Sequence, residues 1–127
     1  MTRERKDTGQ KGEELAARYL QGKGCRIVRR NYRCNIGEID LVAEDSGVVV
    51  IVEVRTKRVP CMVRPEETIT WAKATRLVRL AEHYLASTGQ DDRPWRVDVV
   101  AIEMDSDDTP LRIERYQDAV AEVTRHR

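Results

Sequence analysis

The sharpest hydrophobic pattern in the chain lies between Gly37 and Arg58, GEIDLVAEDSGVVVIVEVRTKR. Side chains alternate faces along a strand, and two strands are predicted here around a turn at Asp45-Ser46-Gly47. In the first, Ile39, Leu41 and Ala43 share one face, and Glu38, Asp40, Val42 and Glu44 share the other. In the second, Val49, Ile51, Glu53, Arg55 and Lys57 lie opposite Val48, Val50, Val52 and Val54. A strand apolar on both faces is a central one, covered on both sides. Ionised groups emerging from its end are costly unless paired or bound to a metal. Antiparallel pairing across the turn makes Asp40 and Glu53 near neighbours, since one lies six residues before Ser46 and the other seven after.

Upstream, a helix is predicted from a cap at Asp7 or Thr8 to about Lys23, with Asp7 and Gln10 approximating a capping box. Leu15, Ala16, Tyr19 and Leu20 form its apolar stripe. Gly9 and Gly12 project onto the same stripe, which predicts close approach to another backbone, because glycine is unfavourable inside a helix. Glu13 stands about 20° from Leu20 in projection. It reads either as an ordinary boundary glutamate or as a carboxylate aimed across a helix–sheet interface. Gly22 and Gly24 end the helix. Cys25–Arg30 is predicted as a short strand near an edge. Asn31–Ile36 then forms a connection in which Arg29, Arg30 and Arg33 cluster around Tyr32, either as a base-stacking site flanked by cations or as a solvated basic loop.

Downstream, residues 58–65 form a Pro-bounded loop carrying Arg58 and Arg64. A long helix is predicted from near Pro65, with Glu66 and Glu67 at its N-terminus. Its stripe takes Ala74, Leu77, Ala81, Tyr84 and Leu85. Lys73 flanks that stripe, Arg76 and Arg79 point to solvent, and His83 reads as a surface histidine with no partner. Trp95–Glu103 is a strand in which Asp98 shares a partly buried face with Val100 and Ile102. Asp105, Asp107 and Asp108 make a turn, and Leu111–Tyr116 is an edge strand. Residues 1–7 are expected to be disordered, and the last residues to form a short helix or fray. The order α-β-β-β-α-β-β predicts an α/β fold, a mixed central sheet of about five strands flanked by helices.

Composition narrows the class. The chain has 127 residues, 35% of them charged and 40% hydrophobic, with no Phe. That length predicts a single domain, 1–127, with a core built from Val, Leu, Ile and Ala. The apolar run Val48–Val52 is far short of the ~20 residues that cross a bilayer. The opening MTRERKDTGQ carries no apolar stretch of a signal peptide, so no membrane association is expected. The three cysteines, Cys25, Cys34 and Cys61, form no CxxC pair, which points to a reducing cytoplasm. Residues 1–79 hold 17 Lys and Arg against 11 Asp and Glu, a net of +6, whereas residues 80–127 hold 6 against 11, a net of −5. A basic front half is compatible with a polyanionic partner.

Two carboxylates on rigid strands, with backbone carbonyl nearby, suit a hard divalent cation such as Mg²⁺ or Mn²⁺ that leaves positions open for a phosphate. Phosphodiester hydrolysis is the reaction such a centre serves best. The residues that carry a family resemblance are Gly9-x-x-Gly12-Glu13-x-x-Ala16-x-x-Tyr19-Leu20, Asn31-x-Arg33, Gly37-Glu38-Ile39-Asp40-Leu41, Val52-Glu53-Val54-Arg55, Lys73 and Arg96-Val97-Asp98-Val99-Val100. With them the chain resembles the uncharacterised bacterial YraN-like family and, more distantly, the PD-(D/E)XK nuclease superfamily. The resemblance implies a restriction-endonuclease-like αβββαβ core, with Asp40 and Glu53 as metal ligands and Glu13 as a supporting carboxylate.

Ile39 stands where the superfamily has Pro, and Arg55 where it has its signature lysine. Arginine keeps the charge and grips phosphate but cannot serve as a base. Lys57, ~6.6 Å further along the same strand face at ~3.3 Å per residue, or Lys73 from the helix, are the alternative ammonium groups. Arg29, Arg30, Arg33, Arg58 and Lys73 are the candidate nucleic-acid contacts. The expected activity is cleavage of DNA, branched or single-stranded. The alternative is a non-catalytic nucleic-acid-binding or interaction module on the same fold, and RNA as substrate is a third reading. A homodimer is expected only by analogy with junction-resolving nucleases.

Overall fold

The computed structural model describes residues 3–120, with side chains from Thr8 onward; of the expected disorder at 1–7 and the expected final helix or fraying, residues 1–2 and 121–127 lie outside the described residues, while 3–7 belong to a helix. The elements are α1 (Arg3–Gly22), β1 (Arg26–Cys34), β2 (Gly37–Asp45), β3 (Val48–Arg58), a 3₁₀ turn (Pro65–Thr68), α2 (Trp71–Ser87), β4 (Trp95–Met104) and β5 (Pro110–Tyr116). Their order is the predicted one. The five strands form one sheet in the order β1-β2-β3-β4-β5, in which only β3 and β4 run parallel, joined through α2. No helix among the described residues is long and apolar enough to cross a membrane.

The unbroken valine run explains β3's central place. Val49 and Ile51 pack with Leu77, Leu80 and Ala81 of α2, while Val50 and Val52 pack with Ala16, Ala17 and Leu20 of α1. Consecutive strand residues face opposite ways, so the two helices cover opposite faces of the sheet. A Cβ built on Gly12 would lie 2.1 Å from Thr56 Oγ1, whereas one on Gly9 meets nothing within 4 Å. Of the two glycines on the stripe, only Gly12 answers to close packing. That contact seats the third turn of α1 against the charged end of β3.

Several expectations are corrected. Helix α1 begins at Arg3, upstream of the cap expected at Asp7 or Thr8. Strand β1 continues through Asn31–Cys34, where a connection was expected, because Tyr32 fills the α2-side core. Tyr32 meets Tyr84 edge-on at 5.1 Å and its hydroxyl is 2.8 Å from His83 Nδ1. His83 therefore has a partner, and the Tyr32 ring, only 7% exposed, offers no face for a base. Helix α2 begins at Trp71 rather than Pro65. Thr70 Oγ1 caps it by accepting the Lys73 N–H at 3.1 Å, and Pro65 instead opens the separate 3₁₀ turn. The alternation expected in β2 also fails at one point. Ile39 and Val42 lie on the α2 side, while Leu41 and Ala43 lie on the α1 side.

Asp98 is fully buried rather than partly so. Arg96 holds it with Nε to Oδ1 at 2.9 Å and Nη2 to Oδ2 at 3.1 Å, and the Asp118 N–H adds a third donor at 3.0 Å. The same guanidinium reaches Asp45 at 2.9 Å, which ties β4 to the β2–β3 turn.

The two glycines give substitutions of opposite sign. Gly9→Ala raises stability by up to about 1 kcal/mol, since it only removes glycine from a helix. Gly12→Ala must displace Thr56 and lowers stability by about 1–2 kcal/mol. Urea denaturation of the two variants measures both; equal effects would contradict the helix–strand contact.

Candidate active site

The break in β2 falls on Asp40. The β2–β3 ladder runs from Asp45↔Val48 to Leu41↔Val52, which sets Asp40 opposite Glu53 as the next pair. There the carboxylate takes the place of a backbone acceptor, with Asp40 Oδ2 accepting the Val54 N–H at 2.8 Å. Turned toward β3 in this way, Asp40 separates Ile39 from Leu41 and reverses the faces they occupy. The side chain is thereby fixed to a rigid strand and not to a loop.

Glu53 is 4% exposed and lies across from Asp40 at the end of the β2–β3 ladder. Burial, then the charge of Glu53, push the Asp40 carboxyl up to about 8, against the opposing Val54 N–H. Burial beside a second carboxylate favours either the protonated form of Asp40 or a cation next to it. Two cations reach Glu53 Oε2: Arg55 Nε at 3.1 Å and Lys73 Nζ at 3.4 Å. Arg55 Nε is itself buried and makes no hydrogen bond, so its contact with Glu53 is one of charge without bonding geometry.

From α1, Glu13 joins the same region. Burial raises its carboxyl, Glu38 and Glu53 add to the rise, and Arg30 and Arg33 oppose it. Asn31, opposite Asp40 on β1, has a φ of 53° inside a strand. With its amide nitrogen turned toward them, it donates to Glu13 Oε1 at 3.0 Å and to Glu38 Oε1 at 2.9 Å. A non-glycine residue in that conformation carries strain, and asparagine tolerates it best. Carboxylates from α1, β2 and β3 thus act on one another's charge where two strands part.

The structure brings together Asp40, Glu53, Glu13, Arg55 and Lys73. Lys57 is exposed at the far end of the strand face and has no charged partner among the described residues. Arg30 is paired with Glu14 at 2.7 Å, Arg33 with Glu38 at 3.5 Å and Arg58 with Asp108 at 2.8 Å. Arg29 lies over the Tyr32 ring, 4.9 Å from its centroid. The sequence reading missed Asn31 as a member of the site. Its one signal was an asparagine, a residue suited to positive φ, beside an aromatic that could only point inward.

Among the described residues no three His, Cys, Asp or Glu side chains gather tightly enough around one point to hold a metal ion. The carboxylates that could hold a cation are the pair Asp40 and Glu53, each with one oxygen already engaged. Hard divalent ions accept such a set, one or two carboxylates completed by carbonyl and water.

Among the described residues these features define an α/β fold with a five-stranded mixed sheet, two α-helices and a carboxylate pair where β2 and β3 part. The chain belongs to the uncharacterised protein family UPF0102, whose model matches residues 12–102 and so spans Glu13, Asp40, Glu53 and Lys73. A UPF0102 protein of Pelotomaculum thermopropionicum is 44% identical over 115 residues, 91% of this chain and 96% of the relative. One from Symbiobacterium thermophilum is 50% identical over 95 residues, 75% and 80% of the two chains. One from Roseiflexus castenholzii is 42% identical over 124 residues, 97% and 100% of the two.

Asn31 separates two effects. Asn31→Gly keeps the positive φ and removes only the two donations, at a cost of about 1 kcal/mol. Asn31→Asp also sets a further carboxylate against Glu13 and Glu38, so it is the less stable variant at pH 8. Thermal melting decides it; an Asp variant as stable as the Gly variant contradicts the bridge.

Proposed function

We propose that this protein is a divalent-metal-dependent nuclease of the PD-(D/E)XK type that hydrolyses phosphodiester bonds of DNA, branched or single-stranded, in the cytoplasm. The observation that carries the reading is the juxtaposition of Asp40 and the buried Glu53 on adjacent rigid strands, with the Lys73 ammonium 3.4 Å from Glu53 Oε2. The α-β-β-β-α-β order with one parallel pair, β3 and β4, is the core that the superfamily resemblance implies.

Asp40 and Glu53 would hold Mg²⁺ or Mn²⁺, which when bound makes water more acidic and offsets charge on the phosphate. Lys73 supplies the ammonium that Arg55 replaces in the strand, and its flexible stem lets it move from Glu53 toward a phosphate oxygen. Arg55 can grip that phosphate, but a guanidinium stays protonated and takes no proton from water. Glu13, with its raised carboxyl, is the nearby group suited to exchanging a proton. In the net reaction water adds to phosphorus, one P–O ester bond breaks, and the leaving alkoxide gains a proton. A homodimer, offered by analogy with junction-resolving nucleases, belongs to the same proposal.

Arg55 in the signature lysine position favours a second reading, a nucleic-acid-binding module without efficient chemistry. Incubation with plasmid, single-stranded, flap, four-way-junction and RNA substrates in Mg²⁺, Mn²⁺ or EDTA separates the two. Cleavage is expected with metal and not with EDTA. Asp40→Asn and Glu53→Gln each lower it by about 100-fold or more, and Lys73→Met by about 10²–10³-fold. Cleavage unchanged in the first two variants would sink the site, and binding without metal-dependent cleavage would favour the second reading.

A further inference from the structure

The described cations divide into those matched by a carboxylate and those left open. On α1 and β1, Arg18 and Arg30 both pair with Glu14, and Arg26 pairs with Glu44. At the far end of the sheet, Arg112 pairs with Glu66 and Glu103. Helix α2 differs. It carries Lys73, Arg76 and Arg79 with a single carboxylate, Glu82, and neither Arg76, Arg79 nor Glu82 has an ion-pair partner among the described residues. Both arginines are exposed. Residues three apart on a helix are surface neighbours, ~5–6 Å between Cβ atoms, so the three cations form one row.

The row has a direction. Its upper end is Lys73, whose Nζ touches Glu53. Arg76 comes next and lies over the β1–β2 turn, its Cδ 3.6 Å from where a Cβ on Gly37 would sit. Arg79 follows, one turn before His83, which bonds Tyr32, and Tyr32 in turn lies under the exposed Arg29. From Lys73 to Arg79 the helix rises ~9 Å, enough to face two or three phosphates of one duplex strand at ~3.4 Å each.

We infer that the outer face of α2, through Arg76 and Arg79 with Arg29 at its end, is a phosphate track that holds one backbone of a duplex DNA arm and leads it to Glu53. This inference rests on the nuclease reading for the choice of DNA, while the track itself needs only a polyphosphate backbone. It assigns binding to Arg76 and Arg79, which read as mere solvent-facing positions in the sequence. It also draws binding away from Arg30, Arg33 and Arg58, whose charges Glu14, Glu38 and Asp108 already meet. Glu82 stands at the lower end of the row and limits the track there.

The test is binding of a fluorescent 20-base-pair DNA duplex in EDTA, by anisotropy, between 50 and 300 mM NaCl. Each phosphate contact contributes about −0.9 to the slope of log K against log salt. The double variant Arg76→Gln/Arg79→Gln is expected to flatten the slope by roughly 1.8, with its melting temperature unchanged. Arg18→Gln, which removes a cation already matched by Glu14, leaves the slope as in the parent. An unchanged slope in the double variant, an equal flattening in Arg18→Gln, or no binding by the parent protein overturns the track. Tighter binding of an RNA duplex than of DNA overturns the choice of DNA. Because no metal is present, a flattened slope with no cleavage elsewhere would keep the track and remove the nuclease reading; cleavage with an unchanged slope would do the reverse.

Discussion

Two carboxyl groups placed side by side at the end of a buried strand are the constraint around which this molecule is arranged. Asp40 and Glu53 stand against each other where β2 and β3 part, under helices on both faces of the sheet. Desolvation and mutual repulsion both act against their charge. The neighbouring groups answer that cost: the Val54 N–H on Asp40, then Arg55 and Lys73 on Glu53. Asn31 accepts an unfavourable backbone conformation to join Glu13 and Glu38 on the other side. The fold spends strain and buried charge at one place, as binding and catalytic sites do.

A second buried acid shows what a purely structural solution looks like. Asp98 sits beside Val52 in the β3–β4 register, one residue from Glu53 along the neighbouring strand. It is more deeply buried than Asp40, yet Arg96 and the Asp118 N–H supply three donors between them. A buried pair with all its bonds made is stable in place, though breaking it costs several kcal/mol. Asp40 and Glu53 have no such closure, since among the described residues their cations reach one oxygen of Glu53 and none reaches Asp40. That difference separates the candidate site from the rest of the charged interior.

Much of this was legible in the sequence, for identifiable reasons. The valine run gave β3 its central place, and the turn at Asp45-Ser46-Gly47 set Asp40 against Glu53. Gly12 announced the close approach of α1, though Gly9, by the same rule, did not have one. The polar stretch after Arg30 hid a strand because a single inward residue, Tyr32, decides its burial. Pro65 and the two glutamates after it resemble a helix start, but the chain makes a 3₁₀ turn there and waits for Thr70 to cap α2. The reversal of faces at Asp40 leaves no trace in periodicity, since one side chain bonding to a neighbouring strand is enough to cause it. Lys73 could be placed on a helix flank but not on Glu53, because the reach of a lysine depends on where the helix sits over the sheet.

The central claim is that Asp40 and Glu53 together hold a divalent cation. Crystals soaked in MnCl₂ and measured at the manganese absorption edge test it directly. An anomalous peak between the two carboxylates, absent in crystals of Glu53→Gln, is the predicted result. No peak there, or an undiminished peak in that variant, would contradict the account.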